Sequence, residues 1–131
     1  MKLVAMQLLG LWLCFLISSV NVSGKPNTVV TFFQCSPDTY PDGDPYGVAV
    51  NQALYNVANK AEIGSVYSTV ITSNNGIPVI ASGGCNDNAN LTETECRTCL
   101  DAATEDMFSR CYKHMGSAVK LVDCLMDYAP V

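Results

Sequence analysis

The chain has 131 residues, 49% of them hydrophobic and 15% charged, with a formal net charge of −5. Seven Lys and Arg against twelve Asp and Glu exclude a basic nucleic-acid-binding surface and a cationic membrane-breaking mechanism, because both depend on positive patches. The length fits one domain, small enough that its core alone gives only modest stability.

The first segment has the build of a secretion signal. Lys2 supplies a positive start, Leu3 to Val20 is almost wholly apolar, and Val22, Ser23 and Gly24 suit signal peptidase, which places cleavage after Gly24. The competing reading is an uncleaved membrane anchor, since the stretch is near the lower limit for spanning a bilayer. With residues 1–24 removed as a signal peptide, Cys14 and Lys2 leave too. Residues 25–131 then form a single soluble domain with six cysteines and a charge of −6.

Thr28 to Phe33 is β-branched and aromatic, as a strand should be, and it delivers Cys35 at its end. Pro37 and Pro41-Asp42-Gly43 break it. Asp44-Pro45 starts a helix, with Asp as N-cap and Pro at the first helical position. Val50, Ala53, Leu54, Val57 and Ala61 recur at helical spacing until Gly64, which is expected to stop the helix. From Val66 to Thr72 the period changes to two, so a strand follows. Asn75-Gly76 suits a type I′ hairpin turn, and Ile77 to Ala81 returns as its partner, with Pro78 at an edge or end position. Ser82-Gly83-Gly84 is expected to end the hairpin before Cys85.

Thr92-Glu93-Thr94-Glu95 is a capping box, and Cys96, Cys99, Leu100, Ala103 and Met107 form the buried stripe of a second helix. Glu93 with Arg97, and Asp106 with Arg110, are spaced to pair on its wet face. After Gly116, Ala118 to Asp123 and Leu125 to Tyr128 supply one or two closing strands. Two helices alternating with four or five strands give an α+β class, with the helices packed on an antiparallel sheet.

Six cysteines in a small secreted domain read as three disulfides, although fifteen pairings are open. A redox role for Cys96-x-x-Cys99 is disfavoured by the negative charge of Glu93 and Glu95 around it. A zinc knuckle lacks the second close pair, because Cys111 and Cys124 are far apart in sequence. The two helical cysteines instead staple the helix to two separate elements. His114 is the only histidine, has no nucleophile or orienting group near it in sequence, and reads as a surface-loop residue. Asp38, Asp42 and Asp44 read as solvated turns rather than a calcium site. Tyr40, Tyr46, Tyr55, Tyr67, Tyr112 and Tyr128 could offer sugar-stacking faces, with the edge of the core as their plainer place. Asn90-Leu91-Thr92 is a glycosylation sequon ahead of the second helix; Asn21-Val22-Ser23 is another, leaving with the signal. No catalytic constellation, cofactor site or metal site is read, and the chain is taken as a non-enzyme.

The run Cys85-x10-Cys96-x2-Cys99-Leu100, then Phe108-Ser109-Arg110-Cys111, then Gly116 through Cys124 to Tyr128, resembles the stress-antifungal domain of land plants, also called the ginkbilobin-homologous domain. Asp44-Pro45-Tyr46 and Cys35 fit the same template, so the resemblance covers residues 28–129. It implies a two-helix, five-stranded α+β domain with bridges Cys35–Cys111, Cys85–Cys96 and Cys99–Cys124. A bridge from the first strand to the far end of the second helix would contribute roughly 4 kcal/mol in the chain-entropy model. The resemblance also implies a plant apoplastic protein of the single-domain class.

Two departures from the family stand out. Ten residues rather than the usual eight separate Cys85 from Cys96, enlarging the loop that holds Asn90. Members similar to ginkbilobin bind mannose through an Asn, an Arg and a Glu whose positions are here Ser36, Ala118 and Ala129, so mannose binding does not transfer. The reading is a secreted, defence-type, antifungal-like binding protein with altered or lost sugar specificity. The alternative is an apoplastic interaction or signalling module. The partner is a cell-wall glycan or an apoplastic protein, and neither nucleic acid nor membrane.

Overall fold

The computed structural model describes residues 25–131. The expected signal segment 1–24 and the sequon at Asn21 lie outside the described residues. Five strands, β1 (Val30–Cys35), β2 (Tyr67–Thr72), β3 (Pro78–Cys85), β4 (Ser117–Leu121) and β5 (Cys124–Pro130), form one antiparallel sheet in the order β1-β4-β5-β3-β2. Two helices, α1 (Pro45–Lys60) and α2 (Glu93–Arg110), cover one face, α1 over β2 and β3, α2 over β4 and β5. The α+β class is the one expected.

Helix α1 begins as its sequence dictates. The Asp44 carboxylate accepts from the Tyr46 N–H at 2.8 Å, and Pro45 opens the helix without a wasted donor. It ends earlier than Gly64, at Lys60, where the Ala61 N–H still reaches the Val57 carbonyl at 2.8 Å. The cause is packing: Val57 and Ala58 are the last fully buried residues of the stripe, so nothing holds a further turn. Gly64 instead bends the chain at φ 81°, letting its N–H donate to the Cys85 carbonyl at 3.0 Å.

The hairpin between β2 and β3 also departs from expectation. A type I′ turn needs positive φ at both central residues, but in the Ser73–Ile77 connection only Gly76 has it, at 85°. The buried Ser73 selects the wider loop, because its hydroxyl donates to the Ile77 carbonyl at 2.7 Å and accepts from the Ile77 N–H at 3.1 Å. Pro78 stands at the first position of β3, where no ladder bond is lost.

Ser82-Gly83-Gly84 does not end the hairpin; β3 runs through it to Cys85. The glycines serve close approach rather than a turn. A Cβ on Gly83 would lie 2.8 Å from Val57 Cγ1, and one on Gly84 would lie 2.2 Å from the Ser65 carbonyl oxygen.

Tyr46, Leu54, Val57, Val79, Leu100, Met107, Leu121 and Met126 fill the space between helices and sheet. Truncating one of the buried leucines costs about 2–5 kcal/mol by the usual transfer and cavity terms. Cys85 and Cys124 are directly opposed on β3 and β5, yet each reaches up to α2, giving Cys85–Cys96 and Cys99–Cys124. Helix α2 is thus pinned to adjacent strands from positions three apart. The third bridge, Cys35–Cys111, ties the end of β1 to the residue after α2. These are the pairs that the family resemblance implies. Of the two expected wet-face pairs, Asp106 and Arg110 meet at 3.9 Å, while Glu93 and Arg97 are not paired.

Candidate binding surface

The sheet's second face carries no helix. Alternation puts Val79, Ala81, Val119, Leu121, Met126 and Tyr128 toward the core, so the residues between them point to the open side. Strand register lines these up in rows. Phe32, Lys120, Leu125 and Gly84 form one row, Gln34, Ala118, Asp127, Ser82 and Ser68 the next, and Ala129, Ile80 and Val70 a third. Phe32, Val70, Ile80 and Leu125 are exposed there, which gives the face an apolar character.

A shallow concavity of about 470 Å³ opens at one end of this face. Ser36 and, more than eighty residues later in sequence, Ala118 and Ala129 all line it, together with Gln34 and Asp127. Their side chains offer a ligand little. The Ser36 hydroxyl is committed to its own loop, accepting from the Gly116 N–H at 2.8 Å and donating to the Asp38 carbonyl at 3.4 Å. Ala118 and Ala129 bring only methyl groups. Asp127 is the one carboxylate of the lining; burial raises its carboxyl above the usual carboxylate value, and it makes no ion pair among the described residues. Sequence reasoning missed Asp127 and Gln34. The signal was present in Leu125-Met126-Asp127-Tyr128, where period two puts Asp on the side away from the core.

The remaining sequence-marked residues are scattered. His114 sits half-buried in the loop after α2 with Nδ1 against the Ser36 carbonyl, so it ties that loop to the end of β1. Asp44 caps α1 and Asp42 pairs with Lys113, and among the described residues no group of three or more His, Cys, Asp or Glu side chains is placed to hold a metal ion. Tyr46 and Tyr128 are core residues whose hydroxyls donate to the Met115 and His114 carbonyls at 2.6 and 2.8 Å; burial pushes the Tyr46 hydroxyl up to about 12 and raises that of Tyr128. Tyr55 and Tyr112 are exposed, and Tyr40 and Tyr67 half-buried. The enlarged loop folds into a 3₁₀ turn at Asp87–Ala89, which leaves Asn90 exposed in a left-handed conformation. No helix among the described residues is long and apolar enough to cross a membrane.

The family model described as salt stress response/antifungal matches residues 34–130, most of the chain. The chain belongs to this family. Among relatives of the salt stress response/antifungal family, the antifungal protein ginkbilobin-2 of Ginkgo biloba is 28% identical over 103 residues, covering 78% of this chain and 76% of that protein. A ginkbilobin-like antifungal protein of Picea glauca is 25% identical over 109 residues, covering 82% and 77%. A relative named as a cysteine-rich repeat secretory protein of Arabidopsis thaliana is 25% identical across 88% of this chain, but this chain covers only 40% of it. Among solved structures, the tandem DUF26 ectodomain of an Arabidopsis thaliana cysteine-rich receptor-like protein superposes with a TM-score of 0.70 at 19% identity. That match covers 79% of this chain and half the length of the ectodomain. The family fold is therefore present in one copy within the described residues.

Proposed function

We propose that the chain is a secreted, defence-type binding protein that works by recognition rather than catalysis, and that its open sheet face no longer reads mannose. One observation carries the second part. The three positions where the family resemblance implies a mannose site converge on a single concavity, yet they present two methyl groups and a hydroxyl already bonded to the backbone. Secretion is supported by relatives named as secretory proteins and by the expected signal at residues 1–24. The antifungal names of the relatives support the defence role.

Calorimetry with mannose and mannan on the purified, oxidised protein tests the reading. Wild type is expected to bind weakly or not at all. The Ser36→Asn, Ala118→Arg, Ala129→Glu triple variant restores charge-assisted bonds of about 1.5–3 kcal/mol each, and is expected to gain binding. The arginine would enter directly opposite Asp127 on the neighbouring strand, so its orientation has a partner in place. Strong wild-type binding through the concavity would overturn the reading.

A second reading has its own support. The exposed Phe32, Val70, Ile80 and Leu125 make the open face suited to an apoplastic protein partner. Pull-down from cell-wall extract with wild type and with a Phe32→Ser, Leu125→Ser variant separates the two: a partner lost in the variant favours the protein interface.

A further inference from the structure

On the helix-covered side, sharing no lining residue with the sheet-face concavity, a cleft of about 390 Å³ lies between the start of α1 and the end of α2. One wall is Tyr40 laid on the helix at Gly47, with Val48 and Asn51 beyond it; the other is Phe108 and Tyr112. We propose that this cleft is a binding site for a neutral sugar ring of an oligosaccharide, stacked between the aromatic faces of Tyr40 and Tyr112. The proposal rests on the reading of the chain as a recognition protein and assigns that recognition to a surface other than the sheet face.

The aromatic walls are held in place without a ligand. Tyr40 meets the fully buried Tyr46 edge-on, with ring centroids 5.4 Å apart, and its backbone N–H donates to the Lys113 carbonyl at 2.9 Å. Thr39 and His114 form a β-bridge beside it, so the segments carrying the two tyrosines are zipped together. Tyr112 is 66% exposed, yet Lys113 lies over its ring at 4.7 Å and is itself paired with Asp42. An exposed aromatic normally samples several rotamers, and fixing it beforehand removes an ordering cost from binding. Gly47 completes the arrangement: a Cβ there would stand 3.0 Å from Tyr40 Cε2, so a larger residue would press the ring away from the helix, and glycine lets it lie close. Glycine costs about 1 kcal/mol in a helix relative to alanine, and here the close contact accounts for it.

The polar groups select the ligand class. Lys113 is neutralised by Asp42, and the Asp44 carboxylate already accepts from the Tyr46 N–H and the Asn75 amide at 2.8 and 3.1 Å. No free cation for an anionic ligand remains among the lining groups, and both contacts to Asp44 fall on Oδ1, which leaves Oδ2 as an acceptor for a ligand hydroxyl. The other polar groups are neutral: the exposed Asn51 amide, the Tyr112 hydroxyl and the Tyr40 hydroxyl, which burial holds in its protonated form. Apolar faces with two phenols and an amide at the rim match a ring that is apolar on its C–H face and hydroxylated at its edge.

The test uses the whole oxidised protein, isotope-labelled, titrated with short linear oligosaccharides of glucose, N-acetylglucosamine and mannose, and separately with a proline-rich peptide. At least one oligosaccharide is expected to shift the amides of Tyr40, Gly47, Asn51 and Tyr112 while leaving Gln34, Ala118 and Asp127 unmoved. Tyr112→Ala, a change at an exposed site that keeps the fold, is expected to weaken this binding about tenfold, the order of one lost stacking face. Asn51→Ala gives an independent second variant. Oligosaccharide shifts confined to the sheet face, or affinity unchanged in both variants, would overturn the cleft while leaving the recognition reading intact. Cleft shifts with the peptide alone would overturn the sugar class. No shift with any probe would overturn the proposal, and the mannose calorimetry would still judge the sheet-face reading by itself.

Discussion

At Asp127 an ionisable group is half-buried between Ala118 and Ser82 of the neighbouring strands, and burial lifts its carboxyl above the ordinary carboxylate value. The folded state therefore holds that proton more tightly than the unfolded chain. Its contribution to stability is fully present below the unfolded value, near pH about 4, and is lost as pH rises through the folded value. Asp127→Asn removes the cost of burying the charge, so its melting temperature is expected to exceed that of wild type at neutral pH. The gap should close as pH falls below about 4. Thermal melts across that range check both halves, and a gap independent of pH would assign the gain to packing instead. Gly84 gives the opposite case. Alanine there would push a methyl into the Ser65 carbonyl, 2.2 Å away, and overpacking of this kind costs roughly 1–3 kcal/mol, readable from chemical denaturation. The Ser82-Gly83-Gly84 run was misread from sequence for a physical reason: glycines mark both turns and close approaches, and only the third dimension shows which.

At the scale of elements, the parts written in local chemistry were legible. Asp44-Pro45, the capping box at Thr92 and the stripe Cys96, Cys99, Leu100, Ala103, Met107 each state a helix start or a buried face within a few residues, and each is found as expected. The end of α1 and the form of the hairpin turn were not, since they depend on where burial stops and on the Ser73 hydroxyl. The capping box also couples two properties. The Thr92 hydroxyl accepts from the Glu95 N–H at 3.2 Å, and Glu95 accepts from the Thr92 N–H at 2.9 Å, which lowers the Glu95 carboxyl below its usual value. Thr92 is also the third residue of the Asn90 sequon. In a plant secretory host, Asn90→Gln is expected to lose one glycan in mass and keep its stability. Thr92→Ala should lose the same mass and about 1 kcal/mol besides, while Thr92→Ser should keep both. Intact-mass spectrometry with denaturant melts distinguishes them, and an unchanged mass in Asn90→Gln would show the sequon is unused.

Across the whole molecule, the site residues were legible only through the family frame. Nothing in local sequence brings Ser36, Ala118 and Ala129 together; the register of β1, β4, β5 and β3 does, and register is a tertiary property. Both concave surfaces then depend on one bridge. Cys35–Cys111 spans 76 residues and anchors β1, an edge strand whose ladder partner is β4 alone, and it holds Ser36 on one side and Tyr112 on the other beside it. Removing it as a Cys35→Ala, Cys111→Ala double variant is expected to cost roughly 4 kcal/mol, against about 3 for the Cys85–Cys96 bridge with its shorter loop. The loss should also be uneven. Amide exchange is expected to speed up in β1 and in residues 112–116, while α1 and β3, packed around Val57 and Gly83, keep their protection. Exchange accelerated evenly through both helices would mean that the bridge supports the core as a whole, whereas unchanged exchange in β1 would mean that the β4 ladder alone is enough to hold the edge.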